Sequence, residues 1–174
     1  DIINIFVESL FKQEGLFPTP RYPKNPYTNL KFKKNQFYNI YNKLKFSNFT
    51  IPIVITFFFQ SSFSTRKLLF YYYPYLKEKT LENYPLNTSD LLYEIIEMIN
   101  ELKNKTNFIF VGNLSNSHEL FIKDFTKPLV KWFKSKYSAN PNIREHSKTT
   151  LIDDLKKLYL KNYSCLRERR RSFH

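Results

Sequence analysis

The chain is poor in cysteine, glycine, alanine, methionine and tryptophan, and each shortage excludes something. One cysteine, Cys165, rules out an intramolecular disulfide and gives no thiolate spacing for zinc. Nearby arginines would lower its pKa, but no histidine stands at a fixed spacing to act as its base, which argues against a nucleophile. Such thiol usage fits a reducing compartment or a virion. Gly15 and Gly112 are too far apart to build a phosphate-cradling loop. His118, His146 and His174 never fall four residues apart, so no helical pair of metal ligands exists. His146 reads as a solvated loop residue after Arg144-Glu145, and His118 as structural near a helix start. Glu94, Glu97 and Glu101 share one helical face, which reads as a wet side and not as a cation site. No catalytic residue, metal or cofactor is expected.

Long apolar runs are also missing. Ile51 to Phe59 is closed by Gln60, Ser61 and Ser62, well short of the roughly 20 residues a spanning helix needs. It predicts a buried core helix and no membrane span. Five Asn-x-Ser/Thr sequons, at Asn48, Asn87, Asn104, Asn113 and Asn162, are what chance gives among seventeen asparagines, and no secretory segment accompanies them. The chain begins Asp1-Ile2-Ile3 without methionine and reads as a fragment or processed product.

What is abundant needs discounting. Phe (18), Tyr (13), Ile (14), Lys (21) and Asn (17) make up nearly half of the 174 residues. AT-rich codons supply these five, so neither the aromatics nor the lysines are a binding signal by number alone. Layout says more. From Gly15 to Lys77 there are ten basic residues and no acidic one; from Glu78 to Asp124, eight acidic and four basic; from Phe125 to His174, thirteen basic and four acidic. Either one surface meets polyanions while another does not, or the acidic middle neutralises a basic neighbour within the fold.

Arginine is rare, and Arg167, Arg169, Arg170 and Arg171 are four of the seven present. AT-rich coding works against most arginine codons, so this clustering stands out from the genomic bias. Guanidinium groups fork onto phosphate, and such runs also dock on acidic protein surfaces or serve as localisation signals. Lys31, Lys33 and Lys34, beside Tyr27, Phe32 and Phe37, form a second candidate nucleic-acid site.

Hydrophobic spacing predicts a helix over Ile2 to Gln13 with Gly15 as its stop. Four prolines, from Pro18 to Pro26, predict a stiff strap at 17–30 without regular structure up to Tyr27, lying on the core through Phe17, Tyr22 and Tyr27. Asn35 is the expected cap of a helix to Phe46 with Phe37, Tyr38, Ile40, Tyr41 and Leu44 on its apolar face. A central helix is expected at 51–63, opened by Pro52. Ser64 to Tyr73 reads equally as strand or helix end, closed by Pro74, and Tyr75 to Tyr84 as a short helix ended by Pro85. Thr88 or Ser89 should cap a helix with Leu92, Ile95, Ile96, Ile99 and Leu102 buried and Glu101 paired to Lys105. Phe108 to Val111 reads as a lone extended piece. Asn116 and Glu119 suggest a capping arrangement for a helix that Pro128 should kink or divide. Ser138-Ala139-Asn140-Pro141 is a break, and Ser147 the expected cap of a last helix buried through Leu151, Leu155 and Leu158. Together these give an all-α protein: a single compact domain of six to eight helices over 1–166, with room for a minor extended pair, then a basic tail at 167–174.

Asn25-Pro26-Tyr27-Thr28-Asn29, Phe37-Tyr38-Asn39-Ile40-Tyr41, Pro52 and the later Ser135-Lys136-Tyr137-Ser138-Ala139-Asn140-Pro141-Asn142-Ile143-Arg144 with Lys148 and the arginine run are similar to an uncharacterised protein family of large DNA viruses of algae and protists. The resemblance spans the chain from about Tyr22 onward and carries over no catalytic residue. The leading expectation is a non-enzymatic viral protein that binds nucleic acid, an acidic protein surface or other viral proteins. A basic component of a large ribonucleoprotein, such as a mitochondrial ribosome from an AT-rich genome, is the second reading. An enzyme with a site not readable from sequence is the third.

Overall fold

Phe6 and Leu10, one helical turn apart, are buried on α1 (Ile2–Leu10) in the computed structural model of the chain. The structure describes residues 2–87, 90–106 and 118–171, with side chains except those of 86–87, 104–106, 118–120 and 159–171. Among these residues lie seven helices and one two-stranded sheet, so the chain is all-α, as its periodicity predicts. It is organised as two compact units, Asp1–Thr80 and Leu81–His174.

In the first unit α1 ends well before Gly15. Gly15, at φ 55°, instead turns an antiparallel hairpin of β1 (Gln13–Glu14) and β2 (Phe17–Pro18), with Gln13 opposite Pro18. The strap is therefore not wholly irregular: Pro18 sits in a short strand, where the lack of an N–H is tolerated, and Thr19 N–H continues the pairing to Lys12 O at 2.8 Å. Of its three aromatics only Tyr22 lies on the core, with its ring 5.2 Å from Phe37 and 6.1 Å from Phe58. Phe17 and Tyr27 are exposed.

Helix α2 (Lys34–Lys45) starts slightly earlier than expected, with Lys33 and not Asn35 at the cap position. The reason is Gln36, whose Oε1 accepts the Lys33 N–H at 2.7 Å and supplies half of a capping box. Phe37, only 1% exposed, is the hub of the unit. Rings of Phe6, Tyr22, Phe32, Phe58 and Phe63 all lie within 5.5 Å of its own.

Helix α3 (Ile53–Gln60) buries Val54, Ile55 and Phe58, as a core helix should, but does not continue to Phe63. Ser62 and Phe63 take left-handed φ values of 55° and 57°, and Phe63 N–H returns to Phe58 O at 2.9 Å. Left-handed backbone costs about 1–2 kcal/mol per non-glycine residue. Burial of Phe63, stacked on Phe37 at 5.1 Å, offsets that cost.

Helix α4 (Thr65–Asn87) resolves the ambiguous segment as helix and consists of two helical stretches joined across a kink at Tyr72. The interruption expected beside Pro74 is therefore present, whereas the second stretch runs on through Pro85 instead of ending there. Tyr72, at φ −119° and ψ 21°, bends the helix just before Pro74 and eases the clash of the ring with the carbonyl four residues back. Leu68 and Leu76 are buried in the first unit and Leu81 in the second, which makes the helical path worth keeping.

The second unit packs α5 (Leu91–Thr106) on α6 (His118–Tyr137), and α6 on α7 (Pro141–Arg171). On α5, Ile95, Met98, Ile99 and Leu102 are buried, while the expected Ile96 is exposed and Met98 takes its place. Helix α6 is unbroken at Pro128, against expectation: burial of Phe125, Leu129, Trp132 and Phe133 outweighs one lost backbone bond. Helix α7 begins at Pro141, six residues before the expected cap Ser147, which is buried within it. Pro141 suits the first helical position, and Asn140 Oδ1 accepts the Asn142 N–H at 2.9 Å as a true cap. Leu151 and Leu155 are buried as expected, and Ser138 to Asn140 is the break. The caps proposed at Thr88, Ser89 and Asn116, the Lys105 partner and the piece Phe108 to Val111 lie outside the described residues or side chains.

Candidate nucleic-acid interface

The turn at Asn25 is built by its own side chains. Asn25 Oδ1 accepts Tyr27 N–H at 2.9 Å, an Asx turn; Asn29 N–H donates to Asn25 O at 2.8 Å. Asn29 takes φ 54°, a conformation asparagine tolerates. Asn25 N–H donates to Leu30 O at 2.8 Å, and Lys24 and Lys31 close the loop as an antiparallel bridge. Two lysines thus face each other across the base of a hairpin whose tip carries Tyr27, 95% exposed.

The three predicted lysines all lie at this place. Lys31, Lys33 and Lys34 are exposed, and the Lys31 ammonium lies 5.9 Å from the centre of the Tyr22 ring. Burial raises the Tyr22 phenol pKa, and its hydroxyl donates to Phe32 O at 3.4 Å. Phe32 and Phe37, expected beside the lysines as ring platforms, are core residues at 8% and 1% exposure; Tyr27 alone of the three meets solvent. Sequence reasoning missed Lys24, although it and Lys31 bracket the six-residue stretch Asn25-Pro26-Tyr27-Thr28-Asn29-Leu30, whose turn residues are the signal that could have found it.

Electrostatics single out this region. Among the described residues, none of Lys24, Lys31, Lys33, Lys34, Lys43 and Lys45 is in an ion pair, nor are Arg66 and Lys67. Lys33 and Lys34 stand at the N-terminal end of α2, where the helix dipole is already positive and no acidic residue occupies the first turn. Lys43 and Lys45 lie in its last turn, roughly 17 Å away, where the dipole favours them. In the second unit some lysines are paired, while Lys103, Lys123, Lys127, Lys156 and Lys157 are in no ion pair among the described residues. Glu82 pairs with Lys134 at 2.8 Å, Glu101 with Lys136, and Asp154 with Lys131. Lys136 also lies over the Trp132 ring at 3.9 Å. Of the two sequence readings of charge, neutralisation of a basic neighbour by the acidic middle holds for Glu82–Lys134 and Glu101–Lys136.

Arg167, Arg169, Arg170 and Arg171 belong to the second unit, where the backbone of α7 runs on through Arg171; their side chains lie outside the described ones. His146 is on α7 and exposed, not in a loop. Glu94 accepts the Tyr84 hydroxyl at 3.1 Å. Among the described residues no three His, Cys, Asp or Glu side chains gather to hold a metal, and no helix is long and apolar enough to cross a membrane. Comparison with protein-family models, curated proteins and solved structures finds no match to the chain.

Proposed function

We propose that this chain is a non-enzymatic nucleic-acid-binding protein that meets phosphates with the lysines of its first unit and the arginines that end α7. One observation carries the reading: the exposed lysines from Lys24 to Lys67 have no acidic partner among the described residues and lie in a stretch without a single acid, whereas Lys131, Lys134 and Lys136 of the second unit each meet a carboxylate. Lysines that only solubilised the surface would be expected to mix with acids, and none occurs from Gly15 to Lys77. Two lysines at the start of α2 also oppose the helix dipole, a local cost of the kind tolerated at functional sites. If the short motifs that resemble a family of large DNA viruses reflect kinship, a viral nucleoprotein is the setting we propose, with other viral proteins as further partners.

The test is binding to DNA and RNA over a salt series. Lys31→Gln, Lys33→Gln and Lys34→Gln together should weaken binding and flatten the dependence on salt by roughly one counterion per lysine lost from contact. Removal of 167–171 should do likewise. Unchanged affinity and slope in both variants would overturn the reading.

A further inference from the structure

We infer that the 24–31 hairpin is a stacking finger for single-stranded nucleic acid, with Tyr27 as the residue that takes a base. The inference rests on the nucleic-acid reading and sharpens it to one strand form and one contact. A lone exposed tyrosine needs no explanation. Tyr27 differs through where it is held. Its backbone N–H is fixed by Asn25 Oδ1, the loop is closed by Asn25 N–H to Leu30 O and Asn29 N–H to Asn25 O, and Leu30 N–H reaches Thr28 Oγ1 at 3.4 Å. A loop held in this way has little order left to lose on binding, and a tyrosine ring adds contact area with few torsions to freeze. Lys24 and Lys31 pair across the base of the loop, and Lys33 and Lys34 follow directly. A ring projecting from among unpaired cations is the arrangement that binds single strands, with base faces on aromatics and phosphates on lysines. In a duplex the base faces are covered by their neighbours, leaving the ring only groove edges and backbone. An anionic membrane would also attract the lysines and could take the exposed Leu30 beside Tyr27. Asn25, Thr28 and Asn29 separate and flank these apolar groups with polar ones, which suits a single strand better, and the vesicles below test the alternative.

The experiment compares an oligothymidylate with a random-sequence duplex of equal length, and both with phosphatidylserine vesicles. Tyr27→Ala, at a site with almost no packing, should leave circular dichroism unchanged and weaken single-strand binding by about 5- to 150-fold, the range for one lost base–aromatic stack. Duplex binding should barely change, and Tyr27→Phe should retain wild-type affinity. Tyr27→Trp should show fluorescence quenched by the oligonucleotide, a signature that charge alone does not produce. Should Tyr27→Ala bind the single strand as wild type does, while the Lys31, Lys33 and Lys34 variant loses both nucleic acids, the stacking finger is overturned and the phosphate reading stands. If wild type retains neither nucleic acid, with or without uptake on the vesicles, both are overturned.

Discussion

The ammonium of Lys77 donates a 2.6 Å hydrogen bond to the carbonyl oxygen of Leu16, and so ties α4 to the turn of the β1–β2 hairpin. The same ammonium lies 5.0 Å from the centre of the Phe17 ring, and the residue is only 5% exposed. Burial lowers its pKa from the usual 10.5, against an opposing influence from Glu78. Lys77→Met keeps the length of the stem and removes the donor, so it should cost about 1–3 kcal/mol in urea unfolding. The sign of the pH effect follows from the lowered pKa. The unfolded chain holds this proton more tightly than the folded one, so the contribution of Lys77 to stability rises as pH climbs towards 10.5. The stability gap between wild type and Lys77→Met should therefore widen in favour of wild type from neutral pH upward. A gap that narrowed would contradict the assignment.

Phe37 should be the most sensitive core position of the first unit. Phe37→Ala removes the ring that five others meet and should lose about 3–5 kcal/mol, read as a lower denaturation midpoint. Phe37→Leu, which refills part of the space, should lose less. Equal losses would mean that ring geometry and not volume sets the cost.

Gly15 tests backbone alone. A methyl group at this position would meet nothing within 4 Å, so Gly15→Ala should pay only for its φ of 55°. That strain is about 1–2 kcal/mol, visible as a lower melting temperature. Gly15→Asn should be milder, since asparagine accepts left-handed backbone.

Lys34 should show stability and binding pulling apart. Lys34→Glu places an acid in the first turn of α2, where the dipole favours it by about 0.3–1 kcal/mol. Melting temperature should rise while nucleic-acid affinity falls. A variant that lost both would point to a structural role for the lysine.

Much of the helical pattern could be read from spacing, because α5 and the Leu151–Leu155 stripe of α7 each bury a one-sided apolar face. On α2 only Phe37 of the expected face is buried, with Ile40, Tyr41 and Leu44 half-buried and Tyr38 exposed. Proline misled in two places. Its local cost predicts breaks at Pro74, Pro85 and Pro128; the first is present as the kink at Tyr72, but at the other two tertiary burial of Leu81 and Leu129 sets the helical path instead. The turn at Ser62 and Phe63 was equally hidden, since an apolar run does not announce that its last ring will fold back onto Phe37. At the candidate site, Lys31, Lys33 and Lys34 were legible as a run, whereas the difference between buried Phe32 and projecting Tyr27 depends on the hairpin that alternates them.

Because the division between the units falls inside α4, the two halves of this protein cannot be cleanly separated by cutting the chain at Thr80. A cut there would leave the last carbonyls of a helix without partners, and would give the second half a frayed end just where Glu82 meets Lys134 and Tyr84 meets Phe133. An exchange of either half would have to carry the helical stretch that follows the kink at Tyr72 whole, up to Asn87.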